Sequence, residues 1–351
     1  MKRILSAAMA LFIAVLVIGG THTSTVNAQS TGLGITPRRD LVIVPGNDVT
    51  DKLFVSNLDS DQALTLSLQV IDFGASDETG TPSLRLNEDD KQTAWSLKPF
   101  VTAPQTIELK GGESKYVEYS VNIPEGQGAG SYYSAIRYVA EATNGGNVNI
   151  TASGATLVFV TVPGATKESL VLQKFGAYDI KGNEKNGKYR SLFVKQQPDK
   201  LAFTVKNQGN VAEQPTGSVL IKNMFGKQVA VVKDINSKSS LALIDQTRRF
   251  DFCIEEKESK ANDDSQRSTE AAQGQECVKQ SFIPGRYTME LAGFYGINGN
   301  ATQDITGSAS FWYLPVWFLI VMGVVILAIA GGAFMLYRKF TGRGSFKNRK
   351  K

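Results

Sequence analysis

Few residue types in this chain could support chemistry, and its two cysteines are the most specific of them. Cys253 and Cys277 lie 24 positions apart and are the only cysteines in 351 residues. A bridge between them would hold the base of one loop and stabilise the fold by ~3.5 kcal/mol. Two free thiols are the alternative. Two sulfurs without a nearby histidine make a weak metal site. The sequence therefore predicts a structural disulfide.

Histidine chemistry is excluded by position. The only histidine, His22, lies inside a predicted signal peptide. After cleavage the chain would lack the commonest general base and the commonest metal ligand. That removes Ser-His-Asp and Cys-His catalysis and histidine zinc sites. No nucleophile motif and no phosphate-binding glycine loop is present.

Acidic and amide side chains, which could bind a cation through oxygen or act as a catalytic carboxylate pair, give no specific motif either. Asn57, Asp59 and Asp61 have the spacing of a calcium loop, but Gln62 replaces its glycine and Leu68 its bidentate acid. A polar turn is the interpretation. The acidic run 87–90 is interpreted as a solvated loop, and no carboxylate pair stands out for glycoside hydrolysis. The sequence predicts a protein that is not an enzyme and binds no metal or cofactor.

A tyrosine-rich stretch, GSYYSAIRYVA at 130–140, is the candidate interface. Strand alternation places Tyr132, Ile136 and Tyr138 on one face and Tyr133 and Arg137 on the other. With the first face in the core, Tyr133 and Arg137 would be available to anchor a partner. A packed strand with one wet face is the alternative.

These residues lie on strands. Period-two alternation recurs before residue 310, for example in Leu64-Thr65-Leu66-Ser67-Leu68, and turn residues separate the runs. The run 156–162, TLVFVTV, is apolar on both faces and predicts a strand covered on two sides. We expect an all-β fold of two tandem immunoglobulin-like β-sandwiches, residues 29–163 and 165–310, plus one C-terminal transmembrane helix.

The two halves share short motifs that suggest duplication. Phe54 to Asn57 leads to Phe73-Gly74 as Phe203 to Asn207 leads to Phe225-Gly226, and a Gly-x-Tyr strand opening recurs at 130–132 and 285–287. One segment departs from the strand pattern of both halves. The insertion 255–276 is highly charged and has too few apolar residues to be buried, so it is predicted to be a solvated projection between the two cysteines. The alternative is an acidic docking site.

Both ends indicate a membrane protein. Residues 1–28 have the basic, apolar and small-residue parts of a signal peptide, with an uncleaved signal anchor as the alternative. The uncharged run 316–336 is long enough to cross a bilayer. Four aromatic side chains are predicted as membrane-interface anchors: Trp312, Tyr313, Trp317 and Tyr337.

The charge distribution fixes the predicted topology. The tail 337–351 carries seven basic and no acidic residues, which predicts a cytoplasmic tail and a single-pass type I protein with its ectodomain outside. Of the net charge of +5, Lys2, Arg3 and that tail account for nine positive charges, which leaves −4 between them. The basic excess is thus a topology signal, and no nucleic-acid partner is expected.

Short motifs occur along both predicted modules: Ile35-Thr36-Pro37, Leu41 to Val44 with Pro45-Gly46, Phe54 to Asn57, Gly130 to Tyr133 with Ile136-Arg137, Asn207, Gly209-Asn210, Phe225-Gly226 and Pro284 to Tyr287. In these motifs and their order the mature chain resembles the WxL-interacting protein family of Gram-positive-type bacteria. The resemblance implies that the first module binds peptidoglycan and the second a host or partner protein. The cysteine-flanked insertion departs from the family pattern. Two Trp-x-Leu tripeptides occur, at 95–97 and 312–314. Neither lies in a distal domain with paired motifs like that of the WxL proteins themselves, so both are interpreted as chance matches.

Two functions follow as expectations. The first is a noncatalytic membrane-anchored cell-surface protein whose modules bind cell-wall glycan or another surface or secreted protein. The alternative is a membrane-tethered assembly factor that adds a β-strand to secreted surface or pilus subunits, as chaperones do. The paired basic residues with which such chaperones anchor a carboxylate are not identifiable in this sequence.

Overall fold

The computed structural model describes residues 32–87, 92–140, 153–179, 187–256, 277–297 and 299–342. The predicted signal peptide, most of the 255–276 insertion and the end of the basic tail lie outside these residues. Within them the chain forms two β-sandwiches followed by one helix, as the alternation predicts.

The first sandwich contains strands β1 to β11. Their bounds are β1 Leu33–Ile35, β2 Arg38–Val42, β3 Asp48–Asn57, β4 Leu64–Ile71, β5 Phe73–Ala75, β6 Pro82–Leu84, β7 Val101–Thr102, β8 Thr106–Leu109, β9 Ser114–Asn122, β10 Gly130–Ala140 and β11 Ser153–Val162. One sheet has the order β1-β3-β9-β7 and the other β2-β11-β10-β4-β8. Strands β5 and β6 form a separate hairpin, and a 3₁₀ turn spans Lys98–Phe100.

The second sandwich contains strands β12 to β20. Their bounds are β12 Leu170–Asp179, β13 Lys188–Tyr189, β14 Leu192–Phe193, β15 Lys200–Asn207, β16 Thr216–Asn223, β17 Gln228–Val232, β18 Thr247–Cys253, β19 Gly285–Tyr295 and β20 Gln303–Tyr313. Its sheets have the orders β13-β12-β15-β18 and β14-β20-β19-β16-β17. Because β20 ends at Tyr313, this sandwich extends three residues beyond the predicted limit of 310.

Two of the motifs that suggested duplication, the strand-ending asparagine and the Gly-x-Tyr opening, have equivalent roles in the two sandwiches. The Phe-Gly pair does not, because Phe73 is buried at the start of β5 whereas Phe225 is exposed in a turn. Asn57 and Asn207 end β3 and β15; each buried side-chain amide donates to two backbone carbonyls, and each Oδ1 accepts the backbone N–H two residues on. Tyr132 and Tyr287 each donate a hydroxyl hydrogen bond to the carbonyl four residues upstream, at 2.8 and 2.7 Å. Such tyrosine corners are typical of immunoglobulin-like sandwiches.

The predicted disulfide is present. Cys253, at the end of β18, is bonded to Cys277, with Sγ–Sγ 2.01 Å and Cα–Cα 5.2 Å. The bond closes the base of the segment 257–276, which lies outside the described residues. The chain-entropy argument therefore applies to a loop whose two ends are held at the edge of a packed sheet.

We expect the C253S/C277S double variant to lose ~3.5 kcal/mol of unfolding free energy, because the unfolded chain regains the entropy of an open loop. Thermal unfolding of the full chain in detergent, followed by circular dichroism, measures this loss. Wild type incubated with reductant is the matched control and should unfold at the temperature of the variant. Equal midpoints for oxidised wild type and variant would contradict the prediction.

The last element, α1, is a helix spanning Val316–Gly342, six residues longer than the predicted 316–336. Among the described residues it is the one helix long and apolar enough to cross a membrane, and no residue of its apolar stretch is fully buried within the chain. The helix continues through Tyr337, Arg338 and Lys339, so the start of the predicted tail is helical.

Candidate functional site

The two sandwiches meet along a buried apolar cluster. On the first sandwich, Phe73, Tyr133 and Phe159 contribute adjacent rings; Tyr133 lies 5.2 and 5.6 Å from the other two ring centroids. On the second, Leu241, Leu243 and Ile244 pack against them together with Ala212. We call these residues the interdomain cluster. It covers the outer face of the sheet that contains β10 and β11.

Polar contacts hold the same junction. The backbone N–H of Ser131 donates to the Asn210 carbonyl (3.0 Å), and the Ser131 hydroxyl accepts the N–H of Ala212 (2.9 Å). Gly130 has φ +151°, and a Cβ there would lie 2.7 Å from the Asn210 carbonyl oxygen. Only glycine allows the two backbones to approach so closely.

The β5–β6 hairpin reaches across to the second sandwich. The carbonyl of Glu78, in its turn, accepts the backbone N–H of Arg249 on β18 (2.6 Å). The hairpin therefore covers the edge of β18 that does not pair with β15. The guanidinium of Arg248, beside Gly80 of the turn, donates to the Leu241 carbonyl (2.6 Å), and burial lowers its pKa to about 10.

A cleft of about 380 Å³ opens beside the interdomain cluster. Its floor comes from β2 and β11, through Val42, Phe159 and Thr161, and its opposite wall from the second sandwich, through Ala212 and Leu241. The lining mixes these apolar side chains with polar ones, among them Arg38, Asp40 and Gln214. A cleft of this size can admit side chains of an extended peptide.

Strand β2 forms one side of this cleft and is an edge strand. Among the described residues it pairs only with β11, in parallel. The Pro37 carbonyl accepts the N–H of Leu157, and the N–H of Ile43 donates to the Thr161 carbonyl, each at 3.0 Å. Because backbone groups alternate along a strand, Arg39 and Leu41 also face β11. The N–H and C=O groups of Arg38, Asp40 and Val42 therefore point away from the sheet.

The exposed side of β2 combines apolar and charged side chains. Val42 is 61% exposed and Val44, just beyond the strand, 54%. The Arg38 guanidinium binds the Asp40 carboxylate (2.7 and 3.0 Å), donates to the Ser239 carbonyl of the second sandwich (3.2 Å) and lies 5.0 Å from the Phe159 ring centroid. Arg38 thus connects the two sandwiches at the mouth of the cleft.

The inner side of β2 is fixed by an ion pair. Arg39 donates two hydrogen bonds to the Asp51 carboxylate (2.7 and 2.8 Å), and the Tyr119 hydroxyl donates a third (3.0 Å). Burial would raise the pKa of Asp51, but the hydrogen bonds from Arg39, the Lys52 backbone and Tyr119 outweigh it and lower that pKa. Burial raises the pKa of Tyr119. These contacts anchor β2 while its outer edge remains free.

A buried carboxylate lies next to the junction. Glu213 is fully buried, and neither carboxylate oxygen has a hydrogen-bond partner. The nearby backbone N–H of Ser169 favours the charged form, but by less than burial disfavours it. Burial, and secondarily the charge of Glu168, raise the pKa of Glu213 to about 8. Glu168 itself accepts hydrogen bonds from Ile297 N–H (3.2 Å) and the Thr302 hydroxyl (2.7 Å).

The sequence-predicted interface residues are only partly where alternation placed them. Tyr133 does lie on the face opposite Tyr132, but it is 2% exposed and part of the interdomain cluster, so the prediction of an accessible tyrosine is wrong. The second sandwich covers that face. Arg137 is half-buried and donates to Gln69 Oε1 (3.3 Å). The two side chains do not form one exposed site.

Of the four predicted membrane anchors, two lie on the sandwich and two on the helix. Tyr313 is buried in the core of the second sandwich, and Trp312 pairs with Leu192 at the end of β20, so neither lies in the helix. Trp317 and Tyr337 lie on α1 and are exposed. The prediction for Tyr313 is wrong because the sandwich ends three residues later than expected.

No group of three or more metal-ligating carboxylates, cysteines or histidines occurs in the described part of the chain. The Asn57–Asp61 segment is a hydrogen-bonded turn in which Asp59 Oδ1 accepts the N–H groups of Asp61 and Gln62. Sequence reasoning missed the interdomain cluster and Glu213. The apolar run 241–244 between two polar stretches was the available signal for the cluster.

Comparison with known proteins gives a fold-level likeness. No family model and no curated protein matches the sequence. Similar solved structures include the class 5 fimbriae chaperone CfaA (11% identity, 79% of this chain and 98% of that chain, TM-score 0.34) and the E. coli chaperone DraB (12%, 80% and 98%, 0.34). Another is the Salmonella enterica SafA pilin in complex with the SafB chaperone (9%, 81% and 96%, 0.33). At these values the likeness concerns the sandwich architecture alone.

Proposed function

We propose that this chain is a noncatalytic, membrane-anchored binding protein that captures an extended segment of another secreted or surface protein. The observation that supports it is the free edge of β2, which opens onto the cleft between the sandwiches. A peptide strand added to that edge would bond to the outward N–H and C=O groups of Arg38, Asp40 and Val42. This is β-strand addition, in which backbone bonds give affinity and side-chain pockets give specificity.

Chemical features of the site define the class of segment. Successive side chains of an added strand point to opposite faces. Those on the cleft side would meet Leu241, Ala212 and Phe159, so we expect apolar residues at every second position. Val42 and Val44 would be covered by the same strand. Exposed strand edges with apolar side chains are otherwise an aggregation hazard, which favours a physiological partner.

Competing edges in the protein are less suitable. The equivalent strand of the second sandwich, β14, is two residues long and pairs in parallel with β20. The free edge of β18 lies against the β5–β6 hairpin. Strand β17 exposes Val229 and Val231, but neither lines a cleft between the sandwiches. Of the edges compared, within the described residues, only the five-residue strand β2 lies beside the cleft between the sandwiches.

The membrane topology belongs to the same proposal. With α1 as the span and the predicted signal peptide removed, the two sandwiches would lie outside and the basic tail in the cytoplasm. The partner would then be met close to the membrane surface, as for an assembly factor that receives subunits on secretion.

Binding of cell-wall glycan is a second candidate, favoured by one observation. Phe54 and Tyr116 form an aromatic pair on the solvent face of the first sandwich, with centroids 5.7 Å apart and Tyr116 68% exposed. Exposed aromatic rings can stack on sugars. This candidate agrees with what the resemblance to WxL-interacting proteins implies for the first module.

We expect Val42→Pro to abolish strand capture, because proline removes an outward N–H and leaves the bonds between β2 and β11 intact. The test places a photo-crosslinking amino acid at Asp40 in the full chain, in its own membranes, and identifies the adducts. One secreted or surface protein should be captured in wild type and at least tenfold less in V42P. Val42→Thr retains the N–H and the β-branched shape and is the matched control, expected within twofold of wild type.

Equal adduct in V42P, or capture of the same protein by a crosslinker placed at Val229 on β17, would contradict strand addition at β2. Retention of the chain on purified peptidoglycan, lost in a Tyr116→Ala variant, would instead support the glycan candidate. Thermal unfolding of each variant verifies that the fold is unchanged.

A further inference from the structure

The connection between the second sandwich and the helix is only two residues long. Strand β20 ends at Tyr313 and α1 begins at Val316. The N–H of Leu314 donates to the Phe193 carbonyl (2.9 Å), and the Pro315 carbonyl accepts from the N–H groups of Phe318 and Leu319. Two residues reach at most ~7 Å. If α1 crosses the bilayer, this end of the sandwich must therefore lie at the membrane surface.

Strand register places the turn between β16 and β17 at the same end. Gly285 on β19 pairs with Tyr313, Tyr287 pairs with Phe311, and Asn223 at the end of β16 pairs with Tyr287. Neighbouring strands lie ~4.8 Å apart. The turn that follows Asn223 is therefore about two strand spacings from the end of β20, on the side from which the helix leaves.

This turn presents apolar side chains to solvent. Met224 and Phe225 at its tip are 54% and 80% exposed. Asn223 Oδ1 accepts the N–H groups of Phe225 and Lys227, and Gly226 has φ +76°, so the turn is a defined structure. Phe225 is thus held outward by a hydrogen-bonded turn.

Exposed apolar residues surround the turn, and we call them the membrane-proximal rim: Leu192, Met224, Phe225, Ile283 and Trp312. Basic side chains accompany them. Arg286 is paired with Trp312 across the strands, and Lys227 follows the turn. A rim of methionine and aromatic side chains next to cationic groups matches the interfacial layer of a bilayer, where rings sit at headgroup level and cations meet anionic lipids.

We propose that the β16–β17 turn inserts Met224 and Phe225 into the interfacial layer of the bilayer that α1 crosses. The ectodomain would then have two membrane contacts, the helix and the rim. Two contacts restrict rotation of the sandwiches about the helix axis and fix the direction in which the cleft beside β2 faces. The inference does not depend on strand capture at β2, but it does require that α1 spans the membrane.

Quenching of tryptophan fluorescence by brominated lipid tests the insertion in the full chain. The chain is placed in nanodiscs of phosphatidylcholine and phosphatidylglycerol with bromine on the acyl chains close to the headgroup. Trp95, Trp312 and Trp317 are replaced by phenylalanine, and Phe225→Trp becomes the single reporter. Its quenching should exceed at least twofold that of the matched reporter Phe54→Trp on the first sandwich. Equal quenching of the two reporters would overturn the proposal.

Two further variants separate the possible causes. A variant that retains only Trp317, in the first turn of α1, reports whether the helix is inserted at all. A variant that retains only Trp312 reports the height of the rim, and M224S/F225S in that background should reduce its quenching about twofold. If Trp317 is quenched while M224S/F225S leaves the quenching of Trp312 unchanged, the helix alone sets the height and the proposal is wrong.

Discussion

Glutamine in place of Glu213 should raise the unfolding temperature above pH 8 and change it little near pH 5. The Glu213 carboxylate is fully buried without a hydrogen-bond partner, and its pKa is raised from 4.5 to about 8. Each unit of that shift corresponds to ~1.4 kcal/mol. The charged form is therefore strongly disfavoured in the folded protein.

The direction of the pH dependence follows from linkage. Between pH 4.5 and 8 the folded chain retains a proton on Glu213 that the unfolded chain releases. Unfolding then releases a proton, so stability is highest at low pH and falls as pH rises through this range. Above pH 8 the penalty is complete, on the order of 5 kcal/mol. Because glutamine cannot ionise, E213Q lacks this loss.

Circular dichroism of thermal unfolding from pH 5 to 9 measures the effect on the full chain in detergent. The midpoint difference between E213Q and wild type should grow to roughly 10–20 °C at high pH. Glu125→Gln, at an exposed position in the turn after β9, is the matched control and should show the same small difference at every pH. A constant difference for E213Q would contradict the burial argument.

Most of the fold was predictable because many strands alternate apolar and polar residues, as in β9 and β19. Strand β4 buries Leu66 and Leu68 and half-buries Leu64, on the face that its period of two assigns to the core. The run 156–162 was predicted to be covered on both sides, and it is: Val158 and Val160 face the core of the first sandwich, while Phe159 faces the interdomain cluster. The local sequence pattern is enough to predict a strand and its buried face where each side chain points either to the core or to solvent.

The candidate site was less predictable because it depends on contacts between modules. Alternation placed Tyr133 correctly on the outer face of its sheet, but nothing local to β10 indicates that Leu241 and Ile244 cover that face. The free edge of β2 likewise depends on which strands pair, and sequence periodicity carries no such information. Glu213 has ordinary neighbours in sequence, and only the fold removes its partners.

Loss of the Phe73 ring is expected to uncouple the two sandwiches. Phe73 is buried against Tyr133 and Phe159, with ring centroids 5.2 and 5.7 Å away. Removing such a ring leaves a cavity that costs ~3–5 kcal/mol. Because this cavity lies between the sandwiches, F73A should weaken their contact more than either core. We expect calorimetry of the full chain to resolve two unfolding transitions in F73A.

Trp95 reports the opening directly, since it packs against the interdomain cluster. With Trp312 and Trp317 replaced by phenylalanine, its emission should shift to longer wavelength in F73A without denaturant. Phe311→Ala, in the core of the second sandwich alone, is the matched control: it costs a similar free energy and should leave Trp95 emission unchanged.

The same pair of variants connects packing to function. The wall of the cleft that bears Ala212 and Leu241 is held opposite β2 by the interdomain cluster. If capture uses that wall, F73A should lose the adduct formed from Asp40, while F311A retains it at temperatures where both remain folded. Equal adduct in the two variants would mean that the edge of β2 binds without the second sandwich, and that the cleft adds no specificity.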